Sequence, residues 1–164
     1  MKKVVLLAAL CLSCSISICS GYNPGEPVDN LATGEQIFLE NAGECLAIIE
    51  REANSIPMTG VAMVAFIPGD VSQTWISRMK VVGKLADDKV NLLGIVYTKA
   101  AEMAVTLKDS GNPERKDMRG EYGYIGGVII KVNGGHILAA FSGGKGEDDA
   151  AAAQKGLEWL AGKF

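Results

Sequence analysis

His136 is the only histidine in the chain. A neutral imidazole is a good axial ligand for haem iron. Tyr97, two residues before Lys99, offers a second route: a phenolate ligates ferric haem, and a neighbouring ammonium favours the phenolate. Each has a plainer reading. His136 sits two residues past a turn and reads first as a half-exposed strand residue, and Tyr97 as a core residue with its hydroxyl at the rim. A single histidine excludes a His-rich metal cage. Lys99 and Glu102 stand three apart on one helical face. They can pair with each other at the surface or, turned into a pocket, serve acid–base work. Met63, Met79, Met103 and Met118 are soft ligands or packing.

The run Ser142-Gly143-Gly144-Lys145-Gly146 has the look of a phosphate cradle. It lacks the Ser or Thr after Lys that a P-loop uses for magnesium. Glu147, Asp148 and Asp149 directly behind it would repel a phosphate. It reads as a crossing from sheet to helix, with glycines that permit close backbone approach. Cys45, beside Leu46, Ile48 and Ile49, reads as a small buried apolar residue.

The elements that must position these groups follow from periodicity. Thr33-Gly34-Glu35-Gln36 has capping-box spacing and predicts a helix ending near Asn54, with Phe38, Ala42, Cys45, Leu46, Ile49 and Ala53 on its inner face. Gly60–Ile67 is apolar on both alternating faces, as in a strand covered on two sides. Pro68-Gly69-Asp70 turns the chain into a second strand, Val71–Met79. Lys80–Lys89 is a polar connection, with Asp87 or Asp88 as the cap of the next helix. That helix spans Val90–Leu107 and is stopped by Gly111-Asn112-Pro113. Pro113–Tyr124 is charged and irregular, a solvated loop or a binding loop. Ile125–Val132 and Gly135–Phe141 flank Asn133-Gly134, the pair favoured in a type I′ hairpin turn. A last helix runs from about Glu147 to Ala161, where the acidic first turn suits the helix dipole. Helix, two strands, helix, two strands, helix is an α+β order. Its natural packing is an antiparallel sheet of about four to five strands with helices on one side, a two-layer sandwich.

The 164 residues fit one domain. Lys2-Lys3 before the apolar Val4–Leu12 and the small-residue Ser13–Gly21 read as a signal peptide over residues 1–21. Residues 22–32 follow as an extended tether with Pro24, Gly25 and Pro27, and 33–164 as the domain. The chain is thus expected to be exported, periplasmic or secreted. Lipidation at Cys14 or Cys19 is the alternative, against a poor lipobox. Three of the four cysteines lie in the leader, leaving Cys45 without a disulfide partner. The net charge of −3 becomes more negative once Lys2 and Lys3 are removed. With no basic stripe bearing aromatics, nucleic acid is not an expected partner. The apolar leader is too short and Ser-rich for a membrane span.

The C-terminal stretch Gly126-Gly127-Val128, turn, apolar strand, Ser142-Gly143-Gly144 and acidic helix start resembles the signature of the GlcG/HbpS family of haem-degrading or haem-binding domains. Gly60–Met79 resembles the family's first hairpin, with Arg78-Met79 where members often carry "RM", and Lys99-Ala100 resembles the "KA" of its central helix. Ile129 stands where members often have Pro, and Glu102 where Thr is common. The resemblance covers roughly Gly43 to Leu160. It implies a PAS- or profilin-like sandwich, assembly into homo-oligomers, and haem as a possible cofactor, with His136 or Tyr97 as iron ligand. Other members are attached to cobalamin-handling enzymes or encoded beside glycolate-use genes. The candidate ligand-binding set is therefore His136, Tyr97, Lys99, Glu102, Met79, Arg78, Gly126 and Gly127. The expected function is an exported binding protein for haem or a similar small organic ligand. The alternatives are an enzyme of haem-linked degradation or redox chemistry, and an oligomeric scaffold or sensory partner without a small ligand.

Overall fold

The computed structural model describes residues 29–164 except 87, 114–118 and 121. The expected leader, residues 22–28 of the expected tether, Met118 and Asp87 lie outside the described residues. The elements are α1 (Asp29–Ser55), β1 (Gly60–Pro68), β2 (Ile76–Val82), α2 (Leu92–Thr106), β3 (Gly127–Val132), β4 (Gly135–Ser142) and α3 (Gly146–Ala161). The four strands form one antiparallel sheet in the order β2-β1-β4-β3. This is the α+β sandwich that the order of elements implies.

The two central strands explain the layering. Every residue of β4, and every residue of β1 before Pro68, is buried, so both faces of the sheet need cover. Ala62, Val64, Phe66, Ile137, Ala139 and Phe141 face one way, against α1 and α3. Val61, Met63, Ala65, Ile67, Leu138 and Ala140 face the other way, against α2. The helices are therefore shared between the two faces. Two sit on one side and α2 alone on the other, which corrects the expectation of helices on one side only: a central pair of strands apolar on both faces needs cover on both.

The inner face of α1 carries the six residues that its period predicts, none more than 5% exposed. Full burial of each large side chain among them contributes about 1.5–3 kcal/mol. Burial pushes the Cys45 thiol up to about 12, as suits an inert core residue. α3 meets α1 at Gly156, where an added Cβ would lie 2.8 Å from the Cys45 carbonyl oxygen.

Four local expectations are corrected. α1 begins at Asp29, so residues 29–32 of the expected extended tether are helical, and Thr33–Gln36 lies inside the helix and is not its cap. β2 begins at Ile76, not Val71. Pairing with β1 stops at Phe66↔Ile76, while Ile67 and Pro68 continue only with His136 and Gly135 on the other side. The cap of α2 is Asn91, whose Oδ1 accepts the Gly94 N–H at 2.9 Å. Finally, the β3–β4 hairpin does form at Asn133-Gly134, but Asn133 lacks positive φ. Gly134 alone carries the reversal, at φ +82°, as in a type II turn.

Among the described residues, no helix is long and apolar enough to cross a membrane.

Candidate functional site

The apolar stripe of α2 runs Leu92, Val96, Ala100, Met103, and Lys99 sits on it. The stripe of α3 runs Ala152, Ala153, Gly156, Leu157, Leu160, and Asp149 begins it. A charge on each buried stripe must be neutralised. The two meet beyond the end of β4, with Lys99 Nζ 2.8 Å from Asp149 Oδ2. Their side chains are 3% and 4% exposed. Nζ also donates to the Phe141 carbonyl at 2.6 Å. Asp149 Oδ1 accepts the Gly144 N–H at 2.8 Å.

Burial lowers the Lys99 pKa from its ordinary value, and the facing Asp149 carboxylate opposes that. Burial likewise raises Asp149, opposed first by Lys99 and then by the Gly144 and Gly143 amides. The balance of desolvation against attraction is characteristic of a buried ion pair.

Gly126 closes one side of the pair. An added Cβ there would collide with Lys99 Nζ and lie 2.6 Å from Asp149 Cβ, and its φ of +127° is itself unfavourable to a side chain. Its carbonyl accepts the Phe141 N–H at 3.0 Å. Gly127 is held by Ser110, whose Oγ accepts its N–H at 2.8 Å and donates to the Tyr124 carbonyl at 2.7 Å.

Glu102 is fully buried and does not pair with Lys99. Its Oε1 accepts the N–H groups of Gly111 and Asn112 at 3.0 and 3.1 Å, and its Oε2 that of Gly123 at 3.0 Å. The surface pairing that the three-residue spacing allows is thus replaced by two separate buried tasks. Glu102 fastens the segment between α2 and β3. Asp109 and Ser110 of that segment continue the fastening along the edge of β3, where Asp109 Oδ1 accepts the Ile129 N–H at 2.9 Å.

These contacts build a pocket of about 440 Å³. Val90, Leu92 and Ile95 at the start of α2 form one wall, and Gly123, Tyr124 and Ile125 form the other. Ser142–Gly144 and the first turn of α3 form the floor with Lys99 and Asp149. α3 is capped by Lys145 without a side-chain hydrogen bond, so its first amides are not satisfied by a capping side chain. The size is that of a small-molecule site, and apolar walls around a few convergent polar groups are its usual composition. The chemistry available is a buried amine, a carboxylate within proton-transfer distance of it, and backbone donors.

The expected site residues divide. Lys99 lines the pocket, Gly126 packs against the pair, and Glu102 and Gly127 hold the wall. His136 does not line it. His136 lies five residues before Phe141 on β4, roughly 17 Å away at the strand rise. It is 7% exposed, and Nδ1 lies 3.1 Å from the Gly69 carbonyl. A carbonyl only accepts, so Nδ1 carries the proton. Tyr97 flanks the α2 stripe, half-buried against the sheet, and does not line the pocket. Arg78 and Met79 are exposed on the edge strand β2. Among the methionines, Met63 and Met103 are buried in the α2-side core. Among the described residues no group of three His, Cys, Asp or Glu could hold a metal ion.

Asp149 and Ser110 were not among the expected site residues. The signal for Asp149 was present: it shares the helical phase of Ala152, Ala153, Gly156 and Leu157, and Lys99 shares that of Val96 and Met103. Two opposite charges, each on an apolar stripe, point to one another.

The chain matches no protein-family model, and no curated protein is significantly similar to it.

Proposed function

We propose that this chain is an exported binding protein of the GlcG/HbpS type that holds a small organic ligand in the pocket over Lys99 and Asp149. One observation carries the reading: a buried ion pair lies on the floor of a 440 Å³ pocket with apolar walls. An ion pair buried only for packing is replaceable by apolar residues at little cost to stability. One beside a cavity offers directed polarity to a guest.

Export is supported by the basic and apolar pattern of residues 1–21. Self-association is supported by Met79, Val81 and Val105, which stay exposed beside β2 and α2. The haem form of the reading is supported by the resemblance alone. The residues named as iron ligands do not fit it: His136 is turned to Gly69, and Tyr97 is outside the pocket. The small-ligand form is favoured for that reason.

The test is a titration of the purified chain with glycolate, acetamide, propionaldehyde and, separately, ferric haem. Amide resonances report the small compounds and the Soret band reports haem. The reading expects saturable shifts at Gly126, Gly143, Gly144 and Gly146 with at least one small compound. Absence of such shifts with all three, or a saturable haem complex that leaves these glycines unmoved, would overturn it.

A further inference from the structure

Lys99 has three N–H donors when charged. Two of them go to Phe141 O and Asp149 Oδ2. The same amine lines the pocket while its side chain is 3% exposed. Asp149 meets Lys99 through Oδ2 and accepts the Gly144 N–H on Oδ1.

The surroundings narrow what could meet it. The ammonium charge is already neutralised by Asp149, and Glu147 adds another carboxylate at the rim. A phosphate or other dianion would meet net repulsion. Ile95 and Ile125 present apolar walls, which suit a short alkyl chain. The matching guest is small, uncharged and carries an electrophilic carbonyl within reach of the Lys99 nitrogen.

We infer that Lys99 is a carbonyl-capturing amine that forms a reversible imine with a small aldehyde or ketone. This rests on the pocket being a ligand site, as proposed above, and assigns its ligand class. Asp149, 2.8 Å away, takes a proton from the Lys99 ammonium. The freed nitrogen pair attacks the carbonyl carbon, and a second proton passes from that nitrogen to the carbonyl oxygen to give a neutral carbinolamine. Asp149 returns the proton to the departing oxygen, which leaves as water, and an iminium remains. No oxidant or reductant is consumed. The iminium keeps the positive charge opposite the Asp149 carboxylate, so the ion pair is preserved. Burial, which lowers the affinity of Lys99 for its proton, assists the first transfer. Gly126 leaves the nitrogen uncrowded by a side chain.

The experiment is reductive alkylation of the folded chain with propionaldehyde and cyanoborohydride near neutral pH, followed by peptide mapping over time. Side-chain exposure alone ranks Lys131, 68% exposed, far ahead of Lys99 at 3%. The inference expects the opposite order: unmodified Lys99 is lost no later than unmodified Lys131. Modification of Lys99 only after Lys131, or only in the denatured chain, overturns it. If Lys99 stays unmodified while glycolate or acetamide still shifts the pocket glycines, capture falls and the pocket reading stands. If those shifts are also absent, both fall.

Discussion

Two ion pairs of the same length stand at the two ends of the sheet. Lys99 and Asp149 are 2.8 Å apart, and so are Lys131 and Asp70. The first pair has side chains 3% and 4% exposed, the second 68% and 72%. At the hairpin end, water screens the charges and the pair contributes little. At the pocket end both charges have left water, and each depends on the other. Distance alone does not distinguish a surface contact from a site. The medium around the pair does.

The largest expected effect breaks the buried pair. Asp149→Ala leaves an unpaired ammonium in the core and should destabilise the chain by about 3–5 kcal/mol. Asp70→Ala should leave the denaturation midpoint unchanged. Urea titrations of both variants measure the contrast, and equal midpoints would remove it.

Next is the wall of the pocket. Glu102→Gln exchanges one acceptor oxygen for an amide that cannot accept, among three N–H donors. The expected cost is about 2 kcal/mol, in the range for a hydrogen bond to a charged group. Hydrogen exchange at Gly111, Asn112 and Gly123 should accelerate. Unchanged exchange at Gly123 would detach Glu102 from the pocket wall.

A smaller contrast sets Gly126 against Gly134, both at positive φ. Gly134→Ala should cost about 1–2 kcal/mol for the left-handed conformation. Gly126→Ala carries a comparable backbone cost and also crowds Lys99 and Asp149, so it should be the more destabilising of the two. It should also weaken any ligand binding, which Gly134→Ala should not. Equal stabilities and affinities would place the constraint in the backbone alone.

The smallest effect is in pH. The Lys131 ammonium holds Asp70 below its ordinary value, so its small contribution is present above the unfolded pKa and is lost as pH falls. Burial holds Asp149 above its ordinary value, so its contribution is present below the unfolded pKa and is lost as pH rises through the folded one. Asp70→Asn and Asp149→Asn should therefore tilt the acid limb of the stability–pH curve in opposite senses. Tilts of the same sign would contradict the assignment of burial as the cause in Asp149.

Most elements were legible because their patterns are unmixed. The α1 stripe from Phe38 to Ala53 follows a helical period, and Gly60–Ile67 has no polar face at all. The start of β2 was not legible, because Val71 to Trp75 have strand-compatible types and only the register with β1 excludes them. The site was half legible. Lys99, Glu102, Gly126 and Gly127 draw attention by type, but their partners lie from 9 to 50 residues away in sequence or are backbone amides. Spacing within one helix invites a Lys99–Glu102 pair. The tertiary fold gives each a different partner. His136 shows the reverse case, a residue conspicuous for being alone whose ring serves the neighbouring turn.

The side-chain nitrogen resonance of Lys99, recorded with and without glycolate, acetamide and propionaldehyde, bears most directly on the pocket and its floor. The account predicts a Lys99 signal protected from solvent exchange that moves with at least one of the three, while that of Lys131 exchanges fast and stays in place. A Lys99 signal that exchanges as fast as that of Lys131, or that none of the three compounds moves, would contradict it.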